Sequence, residues 1–288
     1  MTKKEVQKRV LKDGKPLALA KFKWNSKTKT FSSEEPWLVL DFLDVNRITF
    51  NTGHDCIFNA GSSCTFRTLH DCTFKTLSDC TFDTGSFCTF RTGSYCAFKT
   101  WYYCTFKTDS RCTFDTGYVC TFNTSAYCTF DTSFGCIFNT GSDCTFKTGS
   151  YCAFKTGDYC IFNTGSECNF DTSANCVFDT EDYCIFNAGD SCIFNTGFGC
   201  TFKTGYDCIW IIEGKEYTFS PLFIQGSKWP VNVYKPGTLK IGCEEHTFDY
   251  WLKNAKEIVN SYSPDKYDEY LGLIKIAHKW AKVKGWNK

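Results

Sequence analysis

The chain has 288 residues, with 32 Lys and Arg against 31 Asp and Glu, and is skewed to 29 Phe and 21 Cys with a single Met. A net charge of +1 excludes the strongly basic balance that would specify nucleic acid or an acidic membrane surface as partner. No run approaches the ~20 apolar residues of a membrane span, and Met1–Val6 lacks the apolar segment of a secretory signal, so a reducing cytoplasmic setting, in a host cell or a virion, is expected.

Residues 1–47 read as an N-terminal cap, with 11 basic and 6 acidic side chains. Lys3–Leu11 is expected as a short helix stopped at Gly14-Lys15-Pro16. Phe22–Trp24 and Thr28–Phe31, joined by Asn25-Ser26-Lys27, read as a hairpin. Leu38–Phe42 reads as the first strand, eight residues ahead of Ile48 and Phe50. A cap is needed because an open sheet edge would pair with other chains.

Residues 48–211 form an array of one eight-residue unit, roughly Cys-Thr-Phe-Lys-Thr-Gly-Ser-Tyr. Ile48 fills position one of the first unit, and Cys fills it at every eighth residue from Cys56 to Cys208. Phe follows two residues later, from Phe50 to Phe202, with Trp210 last, and Thr two residues after that, replaced by Ala at Ala60 and Ala188. A fixed period without slippage signals a stacked architecture. Positions one, three and five are constant while two and four vary, which is the period-two pattern of a strand. Cys, Phe and Thr therefore point inward, and Thr can bond its neighbour one coil above or below. Position six is Gly in twelve of the twenty units from 48 to 207, so a positive φ is expected to be convenient there without being obligatory.

The fold class is therefore mainly β, a β-solenoid. An offset of 16 residues stacks Tyr102, Tyr118 and Phe134, whereas an offset of 24 stacks Tyr103, Tyr127 and Tyr151. Two sides and 16 residues per coil are favoured, because opposed Phe rings fill a flat core about 10 Å thick. Three sides and 24 residues are the alternative.

Residues 212–288 read as an α+β C-terminal module ending in two helices. Ile209–Ile212, Glu216–Phe219, Val231–Tyr234 and Thr238–Ile241 are expected strands. Thr247–Val259 places Phe248, Trp251, Leu252, Ala255 and Ile258 on one helix face. A second helix, Asp265–Ala281, places Tyr267, Leu271, Ile274, His278 and Ala281 together, with Ser263 as N-cap and Pro264 at its first position.

No residue is singled out as catalytic, cofactor-binding or metal-binding. The uniform Cys spacing is that of core packing rather than of the clustered pairs that hold zinc. Cys243 and His246 make a single C-x-x-H without a second pair; His54 and His70 share a rim position; Glu244 and Glu245 read as solvated acids. No phosphate loop, nucleophile elbow or H-E-x-x-H occurs.

The Thr-Phe-Lys-Thr strands resemble in style the repeats of ice-nucleation and insect antifreeze proteins, which implies an ice-binding alternative. A Lys, Arg or Asp beside Thr in more than half of the units weighs against a flat uncharged array. In its logic the unit resembles pentapeptide-repeat proteins, some of which mimic DNA as acidic rods; the array here carries 9 basic and 16 acidic residues over 48–208, a poor imitation. The whole pattern, with Gly14-Lys15-Pro16-Leu17 and Leu239–Thr247 flanking the array, resembles uncharacterised octapeptide arrays of bacteriophage and gut microbial proteins. That resemblance implies a viral or mobile-element origin and no particular activity. The expected function is a non-enzymatic scaffold or interaction rod, phage-associated, whose C-terminal module docks a protein partner. The alternative is a surface binder, either a DNA-mimic inhibitor or an ice-binding protein.

Overall fold

In a computed structural model of the chain, residues 1–197, 199–212, 214–218, 222–233 and 235–287 are described. The chain divides into two compact units, Met1–Ser173 and Ala174–Lys288, a division that falls within the repeat array.

In the first unit the array winds as a two-sided β-solenoid. One side carries Thr49–Thr52, Thr65–Arg67, Thr81–Asp83 and their successors every sixteen residues; the other carries Ile57–Ala60, Thr73–Thr76, Thr89–Thr92 and theirs. Each strand pairs in parallel with the strand sixteen residues on, so that Phe66 faces Phe82 and Phe82 faces Phe98. The coil is thus 16 residues long, and the three-sided alternative does not form. Phe rings on one side stack at 4.8 Å, as Phe98's neighbour pair Phe82 shows, with interplanar angles near 3°. Rings from opposite sides meet edge to face at 5.2 Å and 75°. Both geometries suit the aromatic quadrupole, which is why Phe rather than Leu fills this position. The array Cys are buried beside these columns.

Position five also points inward, but its hydrogen bonds differ from expectation. Thr76, Thr92 and Thr108 hydroxyls donate to the carbonyl of their own next residue, at 3.3, 3.4 and 3.3 Å, rather than to a neighbouring coil. The chain turns sharply after Thr, and that nearby carbonyl is the acceptor it presents.

The positive φ lies at position eight, not at position six. Every residue preceding an array Cys, and Arg47 at the start, has φ between 55° and 71°, including Val119 at 56°. The corner is held by its N–H groups, each bonded to a carbonyl of the next coil: Asp55 to His70 at 3.1 Å, Phe87 to Tyr102 at 3.1 Å. Glycine at position six has a different reason. A Cβ on Gly117 would lie 2.3 Å from the Trp101 carbonyl oxygen, and one on Gly85 would lie 3.0 Å from that of Leu69. At these two positions a side chain would run into the backbone of the preceding coil.

The winding begins before Ile48. Thr30–Ser33 already pairs in parallel with Thr49–Thr52, putting Phe31 in the Phe column. Leu38–Phe42 pairs with Ile57–Ala60 so that Leu40, not Phe42, faces Phe58, and Phe42 stands in the Thr column. The register is two residues away from that expected, because Leu40 rather than the first Phe fills the Phe column. The helix α1 spans only Lys3–Gln7, closed by a Thr2–Glu5 capping box. Val10–Lys12 leaves it as a strand lying antiparallel on Leu38–Leu40, and Lys23–Asn25 lies antiparallel on Thr30–Ser32. Both open edges are thereby covered by strands running the wrong way to continue the coil. Glu35 joins the cap through Lys12 at 2.5 Å and Lys21 at 2.7 Å.

Within the second unit the same sixteen-residue parallel pairing is found, Val177–Thr180 with Ile193–Thr196, Ile185–Ala188 with Thr201–Thr204 and Ile193–Thr196 with Ile209–Ile212. Trp210 stacks on Phe194 at 5.4 Å, and Lys215–Tyr217 folds back antiparallel on Ile209–Ile212. A separate antiparallel sheet follows, Leu222–Gln225, Pro230–Val233, Thr238–Ile241 and Glu244–Thr247. The expected strand ends Phe219 and Tyr234 lie outside the described residues.

Helices α2 (Phe248–Tyr262) and α3 (Tyr267–Lys284) close the module. α2 buries Phe248, Trp251, Ala255 and Val259, leaving Leu252 exposed. α3 buries Tyr270, Ile274, Ala277 and Ala281, so Tyr270 and not Leu271 anchors it. Its hydroxyl accepts from the Trp229 N–H at 2.5 Å and donates to the Trp229 carbonyl at 2.9 Å. Ser263 does not cap α3; its hydroxyl is 2.5 Å from Lys228 Nζ, and a turn of 3-10 helix, Pro264–Lys266, intervenes.

Candidate binding site

The groups that the sequence offers for chemistry are placed as follows. The array thiols lie under 6% exposed, each in contact with backbone carbonyls, as Cys112 with Gly93 and Ser110 at 3.6 Å. Hydrogen bonding to the Cys128 thiol, with burial, pushes Cys112 up to about 11; the Cys104 thiol and burial do the same for Cys120, and burial pushes Cys208 up. Bonds from neighbouring thiols act the other way on Cys104 and Cys128, which they lower; burial, which they share with the rest of the ladder, is what keeps the array thiols from solvent-borne reactants. Cys243 alone is exposed, at the turn between two strands of the module. His246 does not turn to it. His246 Nε2 lies 3.1 Å from Glu244, whose other carboxylate oxygen accepts from the Tyr262 hydroxyl at 2.9 Å. These two bonds hold the Glu244 carboxyl below its ordinary range, the Tyr262 bond contributing more. Glu245 pairs with Lys235 at 2.8 Å. The neighbouring cavity, lined by Trp229, Trp251 and Tyr262 among others, holds about 40 Å³, room for little more than water.

His54 and His70 come together at a corner of the coil. Their rings stack at 5.0 Å with 10° between planes, and each Nδ1 lies 2.6 Å from the carboxylate of the following Asp, Asp55 and Asp71. Among the described residues no three His, Cys, Asp or Glu form a metal-ligand set.

This corner is the most differentiated surface of the first unit. Its successive rungs are Leu69-His70-Asp71, Gly85-Ser86-Phe87, Trp101-Tyr102-Tyr103, Gly117-Tyr118-Val119 and Ser133-Phe134-Gly135. Because the coil repeats every sixteen residues, like side chains form ladders. Tyr102 stacks on Tyr118 at 5.0 Å and Tyr118 on Phe134 at 5.1 Å. Phe87 stacks on Tyr103 at 5.3 Å. Trp101 is 66% exposed and stacks on no ring among the described residues. A cleft of about 580 Å³ opens beneath these rings, lined by His70, Asp71, Ser86, Phe87, Trp101 and Tyr102 among others, within the size range of small-ligand sites.

The solved structures hold no match to the chain, nor do the protein-family models or the curated proteins. What the site can do therefore rests on its own geometry. The opposite corner is built differently: Arg111 lies between Tyr95 and Tyr127 at 5.5 and 5.4 Å and donates to the Tyr95 hydroxyl at 2.8 Å. There a cation already occupies the space between rings. On the flat faces, position two of each strand points outward beside the position-four charges, and one column runs Arg67, Asp83, Lys99, Asp115. The threonines of position five face inward instead. Sequence reasoning missed the corner cleft, although Leu69 and Trp101 at position six, a site of Gly in most units, were its visible signal.

Proposed function

We propose that the chain is a non-enzymatic binding scaffold. Its first unit offers a ligand surface at one corner of the solenoid, and its C-terminal module docks a protein partner. The observation that carries this reading is the aromatic corner. Phe87, Trp101, Tyr103 and Phe134 are each about half or more exposed, yet most are held in ladders by stacking on the next coil. Aromatic side chains fixed before binding lose little entropy on contact, which is how interfaces gain affinity. In the module, Ile276 and Val283 are 56% and 76% exposed on α3, seven residues apart and so on one helix face. This pair of exposed apolar side chains is the anchor proposed for the partner. The resemblance to phage arrays makes a phage-encoded host-interaction protein the biological setting of this proposal.

The test is affinity capture with the intact chain from the native host. One stoichiometric protein partner should be retained by the wild type and lost from the Ile276→Ser/Val283→Ser variant. Capture that is indifferent to those substitutions contradicts docking through the module, and turnover of any substrate contradicts the non-enzymatic reading.

A further inference from the structure

One ladder of the corner is interrupted beside the exposed Trp101. In the position-seven column, rings run downward through Phe134, Tyr118 and Tyr102, and the next rung is Ser86, after which the imidazoles of His70 and His54 resume. In the position-six column Trp101 and Leu69 flank Gly85. A rung is therefore missing. Its walls, Trp101 and Tyr102 above and Leu69 and His70 below, stand two strand spacings apart, about 9.6 Å. That gap is what one inserted ring fills, since stacked rings in this protein are spaced 4.8 to 5.1 Å.

The rim of the gap is polar. Ser86 forms its floor and is 5% exposed. Thr68 and Thr84 also border the cleft, but their hydroxyls face the interior with those of the other position-five threonines. His70 and Asp71 stand at the edge as a bonded pair. No Lys or Arg lines the cleft, so there is nothing to hold a phosphate or other anion. Asp71 is paired with His70, and Asp83 lies one rung from both Arg67 and Lys99, so no unbalanced negative charge selects a cation either. An uncharged ring with one apolar face and hydroxyls at its perimeter matches both walls and rim. We infer that the missing rung at Gly85-Ser86 is a binding site for a neutral saccharide, one pyranose ring lying between Trp101–Tyr102 and Leu69–His70. This deepens, and rests on, the reading of the corner as a ligand surface.

The test titrates the intact chain with neutral hexasaccharides of β-1,4-linked glucose, N-acetylglucosamine and mannose and of α-1,4-linked glucose, followed by tryptophan fluorescence and calorimetry. A tyrosine-bearing peptide serves as the competing ligand class. Two variants report on the slot. Trp101→Ala removes an exposed wall. Ser86→Tyr supplies the absent ring of the Tyr102–Tyr118 ladder and so fills the gap with a side chain that the same position accepts in the next two coils. Saturable binding of at least one saccharide, weakened on the order of tenfold or more by Trp101→Ala and lost in Ser86→Tyr with circular dichroism unchanged, is expected. Absence of binding by every saccharide at millimolar concentration overturns the inference. So does binding indifferent to both variants, or binding of the peptide alone. Chromatography of the bound saccharide separates the two readings: its cleavage would contradict the non-enzymatic function while leaving the site in place.

Discussion

The residue before each array cysteine carries the least expected conformation in the chain. Left-handed backbone costs an L-residue roughly 1–2 kcal/mol, and here Tyr, Asp, Arg, Phe and Val all adopt it. The strain is tolerated because the same residue's N–H reaches the next coil, as Val119 reaches Phe134 at 3.1 Å, and because repetition makes that bond a continuous ladder. Val119 is the sharpest case, since a β-branched side chain is the least suited to positive φ. Val119→Asn keeps the backbone bond and relieves the conformation, so it is expected to raise stability by about 1 kcal/mol in chemical denaturation. The glycine preference at position six gave a misleading signal, because Gly was read for conformational freedom when it serves close approach. Only the distance from Gly117 to the Trp101 carbonyl reveals that, and a distance between coils has no trace in a single repeat.

Among elements, the strands of the array were legible because inward and outward positions alternate without exception over twenty units, and the favoured 16-residue coil follows from how Phe rings pack. The cap was legible only in part. Val10–Lys12 looks like the end of a helix, and only the need to cover the edge of Leu38–Phe42 makes it a strand. In the module, Glu244–Thr247 was missed because every residue is polar, with no alternation to read; it is an outer strand of its sheet. The cap also carries a pH dependence. Hydrogen bonds from Lys12, then Lys21, hold the Glu35 carboxyl at about 2, against an ordinary 4.5. A carboxyl lowered on folding contributes stability that is complete above its unfolded value and is lost as pH falls through the folded one. The cap should therefore loosen between about pH 4.5 and pH 2. Protection of the Val10–Lys12 amides, taken relative to intrinsic exchange at each pH, should fall as pH drops through that window, and Glu35→Gln should flatten the response. Protection that is level across the window in the wild type would contradict the role assigned to Glu35.

For the molecule as a whole, one interior rule generates both fold and surface. Phe and Cys are consumed by the core, so positions two, four, seven and eight are free to vary, and the corner cleft arises where small residues interrupt aromatic ladders. The cleft could not be read from one unit, because its walls come from Leu69, Gly85 and Trp101 on three successive coils; it becomes visible once the 16-residue offset is known. The fold stands on the buried columns of Phe and Cys. Counting reactive thiols in the intact, reduced chain tests them most directly: brief alkylation under native conditions, followed by mass spectrometry before and after unfolding. One adduct, at Cys243, is expected in the folded chain and twenty-one after denaturation. Prompt native labelling at many positions between Cys56 and Cys208 would contradict the solenoid interior.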